Sequence, residues 1–456
     1  MASRRDQLQS YQFLNQRVIS AFVMRETDPA QSPLRRGIGA LFGGLMVAVL
    51  IAAGFGIYGI LTNVGTDAWK ADGTVVVEKE TGASFVYVQG RLNPALNFTS
   101  AKLAAGRPNP QVYRVAAKAL ADTPRGVTIG IPNAPASLPA GDQQVGLPWT
   151  MCAVPGDDPA AALLIAQTGP AGTLLGDNGL LVTDGTDRDA QLVWHGFKHR
   201  IDDAQTTVPA LFGAVDVTEV STAWLNALPA GADIEPLQVE NRGARSDRVT
   251  GFVNGQVLTV ETGTGDKQYY LILDEGLLPI TALQQAVLKA KFPAEPRIVD
   301  NSVIAPFFPL LKQNNGPADA QPPKDPPQLV TIAAGTTACA ITRAAAKAPT
   351  ITYGGQAAGL ASAVPTAGST PGGKALADAV LVPAGRFALV KVPGSGGYQV
   401  VTDLGVRHPV PSADALSRLG YAPTAATEVP TALVDSIPQG VTLDPAAAVK
   451  PVSPVN

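Results

Sequence analysis

From Ile38 to Leu61 the chain reads IGALFGGLMVAVLIAAGFGIYGIL, and no charged residue occurs between Arg36 and Asp67. A helix of that length reaches roughly 36 Å, enough to cross a hydrocarbon core of about 30 Å with some tilt. The pattern therefore predicts a transmembrane helix over 37–61. Ahead of it, Leu8, Tyr11, Leu14, Val18 and Phe22 recur at steps of three or four. Gln7, Gln9, Gln12, Gln16 and Arg17 fall between them, so residues 1–36 read as a segment with one amphipathic helix that Pro29 ends. Its apolar stripe suits a membrane surface or a cytoplasmic protein, and its sparse arginines favour the protein.

Beyond the span the period changes to two. VVVEKETGASFVYVQG (75–90), VLTVETGTGDKQYYLILDEG (257–276) and VLVPAGRFALVKVPGSGGYQVVTDLG (380–405) each alternate as a strand, a Gly-containing turn and a second strand. Each ends on a sharp glycine turn. A proline-marked helix start is expected after it, as in Gly90–Pro94 and Gly276–Pro279. Self-comparison sharpens the repeat. TEVSTAWLNALPAG from Thr218 matches TEVPTALVDSIPQG from Thr427 at seven of fourteen positions, at an offset of 209. The same offset lays Gly196-Phe197-Lys198-His199 on Gly405-Val406-Arg407-His408.

Two strand-like groups fit no repeat, 149–168 and 328–342, and each carries one cysteine. The expected fold class is α+β: an N-terminal amphipathic helix, one transmembrane helix, and an elongated body of four repeat modules around a central β-unit. The divisions are a cytoplasmic segment 1–36, the span 37–61, a linker 62–72, and module one at 73–148. The central unit begins at 149–175, module two with its connection takes 176–248, and module three 249–315. A Pro-rich linker at 316–327 leads to the second part of the central unit, 328–375, in which 353–374 reads as a mobile Gly/Ala/Ser loop. Module four takes 376–440, and a Pro-rich tail 441–456 closes the chain. Modules one and two are expected on one flank of the central unit, three and four on the other.

Charge orients this layout. The whole chain carries −3, while the segment before the span is net positive and ends in Arg35 and Arg36 against the membrane. Basic residues mark the cytoplasmic side, which places the N-terminus inside and the large body outside. A cleaved export signal is the rival reading, prompted by Ser3-Arg4-Arg5, but signal cores are shorter and follow closely on their basic residues. Gly43, Gly44, Gly54, Gly56 and Gly59 suit close helix packing, although glycine is common in membrane helices anyway. The only two cysteines, Cys152 and Cys339, lie in the outer body. In an oxidising compartment such a pair is most simply a structural disulfide; a metal or catalytic role would need nearby partners that the sequence does not place.

Candidate chemistry is sparse. Gly368-Ser369-Thr370-Pro371-Gly372-Gly373-Lys374-Ala375 satisfies GxxxxGK, which makes Gly368, Gly373 and Lys374 the candidate nucleotide-binding residues. Ala375 stands where magnesium needs a hydroxyl, and the preceding GLASAVPTA is a poor strand, so a flexible loop is the plainer reading. His195 and His199 are four apart near Asp202 and Asp203, but a turn at Gly196 separates them, so they read as module residues. No GxSxG, HExxH or CxxC occurs. Catalytic and metal-ligating residues are expected to be none, and no basic patch suits a nucleic acid.

QLQSYQFLNQRVISAFVMRETDPAQSPLRRG (7–37), the single span, GRLNPALNFTSAKL (90–103) and TPRGVTIGIPNAPASLPA (123–140) together resemble the EccB family. EccB is a membrane component of the type VII (ESX) secretion system of actinobacteria. The resemblance covers almost the whole chain, and the cysteine pair fits it. It implies four repeat modules around a central domain in the periplasm. It also implies the partners EccC, EccD and EccE and further EccB copies. The family is described as ATPases, so ATP enters as a family attribute that no intact motif here carries. Three functions follow: a structural subunit of the secretion complex, a cell-wall anchor that contacts peptidoglycan, and an ATP-hydrolysing component acting through Lys374.

Overall fold

The computed structural model describes residues 3–25, 33–61, 67–155, 158–185, 189–263, 265–312, 320–394 and 397–452. Pro29, residues 62–66 of the first linker, 313–319 at the second and the tail past 452 lie outside the described residues, as do the side chains of Arg35 and Arg36. The chain divides into two compact units, Met1–Ala71 with Ala116–Asp122, and Asp72–Val115 with Thr123–Asn456.

In the first unit, helix α1 spans Arg4–Met24. Ser3 starts it with a capping box: its hydroxyl accepts from the Arg5 amide at 3.1 Å, and its own amide donates to Asp6 at 3.1 Å. Arg25, at φ 54°, ends it in the left-handed region. Helix α2 spans Pro33–Leu61, with proline at its first position, where the missing amide costs nothing.

In the second unit, three four-stranded sheets and one five-stranded sheet share an order, third–second–first–fourth, the extra strand of the last being Gln144–Val145 beside its first. The first has strands Thr74–Glu78, Ser84–Val88, Arg91–Ala95 and Val112–Val115. The second has Leu180–Thr183, Gln191–Trp194, Phe197–Arg200 and Thr218–Glu219. The third has Val257–Glu261, Lys267–Leu273, Gly276–Ile280 and Arg297–Ile298. The fourth has Phe387–Lys391, Tyr398–Thr402, Arg407–Val410 and Thr427–Glu428. In each, three strands run as an antiparallel meander, a helix follows, and the last strand lies parallel to the first. Asn97, Thr281 and Ser412 cap three of those helices through their side chains. The hairpins at Gln89-Gly90 and His195-Gly196 have positive φ at both turn residues, which matches the twist of the strands they join.

The expected proline-marked helix starts are instead third strands. Pro94, Pro279 and Pro409 sit in them without disrupting a ladder, because the third strand is the outermost strand of each sheet and is met on its far side only by isolated bridges.

A seven-stranded sheet lies among the four. Its order is Val364–Pro365, Ala379–Leu381, Ala160–Ile165, Trp149–Val154, Thr336–Thr342, Thr350–Gln356 and Thr173–Leu174. Two sequence expectations are corrected here. Ala379–Leu381 pairs parallel with Ala162–Leu164 and belongs to this sheet, so the fourth small sheet begins only at Phe387. The 353–374 stretch is not a mobile loop: it holds the end of a strand, a 3-10 turn at Ala357–Leu360 and the Val364–Pro365 strand. Its glycines serve close packing. A Cβ on Gly355 would meet Pro170 at 2.9 Å, and one on Gly172 would meet the Tyr353 carbonyl at 2.7 Å.

Alternation along Trp149–Val154 assigns the two faces of this sheet. Trp149, Met151 and Ala153 join a core with Trp224 and Leu225 of the second sheet's outer helix and Leu433 and Val434 of the fourth's. Cys152 and Cys339 point to the other face, oppose each other in register, and form a disulfide under Leu360.

The pairing of the small sheets also differs from expectation. The first shares a core with the fourth, through Val75, Val86, Ala101 and Leu103 against Phe387, Leu389, Leu416 and Leu443. The second shares one with the third, where Leu192, Ile201 and Val208 meet Leu283 and Val287. Gln144–Val145, which follows the first sheet, pairs parallel with Phe387–Ala388 of the fourth. Leu329, which follows the third, pairs parallel with Gly179 of the second. Gly179 and Ala388 stand 209 residues apart, so the same crossing occurs twice. Side-chain periodicity decides which face is buried, not which neighbour buries it.

Candidate functional site

The most exposed apolar surface belongs to the first unit. From Gly37 to Gly59, helix α2 is long and apolar enough to cross a membrane, and none of it is buried. Leu41, Phe42, Leu45, Met46, Leu50 and Phe55 all stand exposed along it. Leaving such a surface in water costs about 25 cal/mol per Å², so a bilayer or other apolar helices must cover it. Cβ atoms added at Gly39, Gly43, Gly44, Gly54, Gly56 or Gly59 would meet nothing within 4 Å. Along α1, Leu8, Tyr11, Leu14, Val18 and Phe22 are exposed as well. The Arg17 guanidinium lies 5.4 Å from the Phe13 ring centroid, a cation–π contact one turn apart.

His195 and His199 do not converge. His195 occupies the hairpin turn at φ 49°, stacks on Trp194 and pairs with Asp177 at 2.8 Å. His199 is buried in the next strand, where its Nδ1 donates to the Ala232 carbonyl at 2.8 Å. His408 makes the same bond to the Val441 carbonyl at 3.1 Å, with both donor and acceptor displaced by 209 residues. Each imidazole is also the reason for a glycine. A Cβ on Gly231 would fall 2.2 Å from His199 Cε1, and one on Gly440 2.4 Å from His408 Cε1. His199 and His408 thus pin equivalent positions of the second and fourth small sheets.

Burial holds the pKa of both imidazoles below the usual histidine value, against a smaller opposing effect of their carbonyl partners. A folded pKa below the unfolded one, near 6.5, means that the unfolded chain takes up protons first on acidification. The stability tied to the neutral rings is fully present above about pH 6.5 and is lost as the pH falls through the folded pKa values. The unfolding midpoint in urea is therefore expected to drop between pH 7.5 and 5. The slope should not exceed about 1.4 kcal/mol per pH unit for each imidazole. Paired titrations of His199→Gln and His408→Gln check this; an unchanged slope in both variants assigns the proton uptake elsewhere.

Gly368, Gly373 and Lys374 come together in a turn closed by its own backbone. The Gly373 amide donates to the Thr370 carbonyl at 2.9 Å, and the Lys374 amide to the Thr370 hydroxyl at 3.1 Å. These residues do not fit a triphosphate, whose oxygens need free amides at a helix start. Among the described residues, no group of three or more His, Cys, Asp or Glu side chains is placed to share a metal ion.

Two larger cavities lie in the second unit. One, of ≈ 380 Å³, is lined by Phe197, Leu228, Pro229, Lys347, Pro349 and Pro430. The other, of ≈ 350 Å³, lies beside His195, Gly196, Leu174 and Pro349. Neither gathers an acid, a base and a nucleophile. Sequence reasoning missed Asp378, Arg407 and Asp435, which neighbour the 368–375 turn; isolated carboxylates and arginines carry no spacing signal.

The family model described as "Type VII secretion system ESX-1, transport TM domain B" matches residues 1–452. A Mycobacterium tuberculosis relative named "ESX-2 secretion system ATPase EccB2" is 30% identical over 322 residues, covering 66% of this chain and 62% of the relative. The match thus spans less than two thirds of that relative's length. A chain of a solved intact ESX-5 inner membrane complex superposes with a TM-score of 0.68 at 24% identity, covering 100% of this chain and 96% of that one. A solved EccB3 dimer from the ESX-3 core complex gives a TM-score of 0.65 at 24% identity, covering 83% and 100%. Both structures share the fold.

Proposed function

The chain belongs to the EccB family of type VII secretion components, and from that premise we propose that it is a structural subunit of an ESX membrane complex. The observation that carries this reading is the family match over residues 1–452 joined to one fully exposed apolar helix. In this reading the helix α2 crosses the inner membrane once. Arg35, Arg36 and the other basic residues before it keep the N-terminus in the cytoplasm. The body then lies in the periplasm.

The four small sheets are four copies of one α+β module, and the seven-stranded sheet is the unit that gathers them. The common strand order and the repeated 209-residue offset support that assignment. Helix α1 offers its exposed stripe to a cytoplasmic partner, for which EccC and EccD are the candidates; EccE and further EccB copies complete the set. The solved ESX-5 complex and the EccB3 dimer make such an assembly the natural setting.

Mild-detergent extraction of tagged full-length protein, followed by native sizing and mass spectrometry, tests the proposal. The expected result is a large species containing other ESX membrane proteins, depleted when residues 3–25 are deleted. A lone small species would overturn it. If that species pelleted with purified peptidoglycan, the cell-wall anchor would replace the scaffold.

A further inference from the structure

The GxxxxGK segment is where a nucleotide would be sought first, because the ESX-2 relative carries ATPase in its name. We propose that Gly368–Ala375 is a structural clasp between the seven-stranded sheet and the fourth small sheet, with Lys374 committed to Asp435 and not to a phosphate.

The amides of Gly368, Thr370, Gly373 and Lys374 are already donated to neighbouring oxygens. Thr370 and Lys374 exchange bonds, the Thr370 amide donating to the Lys374 carbonyl at 2.9 Å. The Leu376 amide donates to the Gly368 carbonyl at 2.7 Å, and the Gly368 amide to the Thr366 hydroxyl at 3.0 Å. A phosphate-binding loop instead aims successive amides at one point and leads into a helix. Here the chain leads into the Ala379–Leu381 strand. The glycines serve the turn, since Gly368 and Gly373 have φ +66° and +80°.

The cations around it are already paired, and carboxylates stand beside them. A Cβ on Gly368 would lie 2.9 Å from Asp378 Oδ1, and the other oxygen of that carboxylate accepts from the Ala161 amide at 2.7 Å. Lys374 Nζ donates to Asp435 Oδ2 at 2.8 Å. Arg407, which is partly buried, reaches the other Asp435 oxygen at 3.4 Å. One carboxylate therefore serves two cations, one from the central sheet's connection and one from the fourth sheet. Next to it the Ala377 amide donates to the Ser436 carbonyl at 2.9 Å, which continues the clasp into the backbone.

The test uses full-length protein in detergent, with Lys374→Met, Asp435→Asn and the double variant. Titration with magnesium ATP should give no saturable binding that depends on Lys374. Each single substitution should lower the unfolding temperature by about 1–3 °C and speed proteolytic nicking within 366–376. The double variant should fall no lower than the worse single one, because both changes break the same pair. ATP binding that survives both substitutions also supports the clasp, since it puts the nucleotide elsewhere. Saturable binding that Lys374→Met abolishes and Asp435→Asn strengthens would overturn the proposal. Unaltered melting and nicking in both single variants would overturn it too.

Discussion

Replacing both cysteines in Cys152→Ala/Cys339→Ala is expected to lower the unfolding free energy of the body by about 3–5 kcal/mol. The bond closes a loop of 187 residues. In the chain-entropy model, removing that constraint from the unfolded state is worth about 5 kcal/mol at 25 °C, and native-state relaxation reduces it. Both residues are almost fully buried, and Gly169 leaves no room above them: a Cβ there would lie 3.1 Å from the Cys152 sulfur. Alanine is the better replacement, because serine would bury an extra hydroxyl. The bond also joins strands from the two halves of the crossed arrangement, Trp149–Val154 and Thr336–Thr342. Urea unfolding followed by tryptophan fluorescence reads the effect. A loss below about 1 kcal/mol would mean that strand pairing alone holds the halves together.

The second large effect is expected at Trp224. It sits in the Thr222–Ala227 helix, which Ser221 caps by accepting from the Ala223 amide at 3.3 Å. Its ring is fully buried against the seven-stranded sheet, and its indole N–H donates to the Met151 carbonyl at 3.1 Å. Trp224→Ala removes the ring, opens a cavity and loses that hydrogen bond, so it should cost about 3–5 kcal/mol. Trp224→Phe keeps most of the burial and loses the hydrogen bond, which is worth about 0.5–1.5 kcal/mol. The equivalent position 209 residues on is Leu433, also buried in the same core. Leu433→Ala should cost less, about 2–5 kcal/mol. Equal losses for Trp224→Ala and Trp224→Phe would show that the hydrogen bond, and not the packing, holds this helix.

Much of the fold is legible in the amino-acid sequence. The change from a long apolar run to alternation separated the long apolar helix from the sheets, because helices bury one face at a period of 3.6 and strands at 2. The 209-residue repeat, read from the segment at Thr218 and the one at Thr427, recurs in the hydrogen bonds of His199 and His408. The third strands were harder. Pro94 and Pro279 look like helix starters locally, and only their place on a sheet's outermost strand makes a proline acceptable there. The segment around Gly355 looked mobile because glycine signals freedom, whereas here it signals a backbone passing at contact distance. The GxxxxGK turn looked open for the same reason: a motif names residues, and only the fold decides where their amides point.

What the sequence determined by itself was therefore the long apolar helix, its basic flank, the alternating strands and the two cysteines. Each of these depends on local period, on charge or on a residue count. What only the tertiary structure decided was the set of partners: the first sheet against the fourth, the second against the third, Ala379–Leu381 in the central sheet, and Lys374 on Asp435. Burying an apolar face is favourable against any apolar neighbour. The choice among neighbours rests on shape, connection and the placement of buried polar groups, none of which has a spacing in the chain.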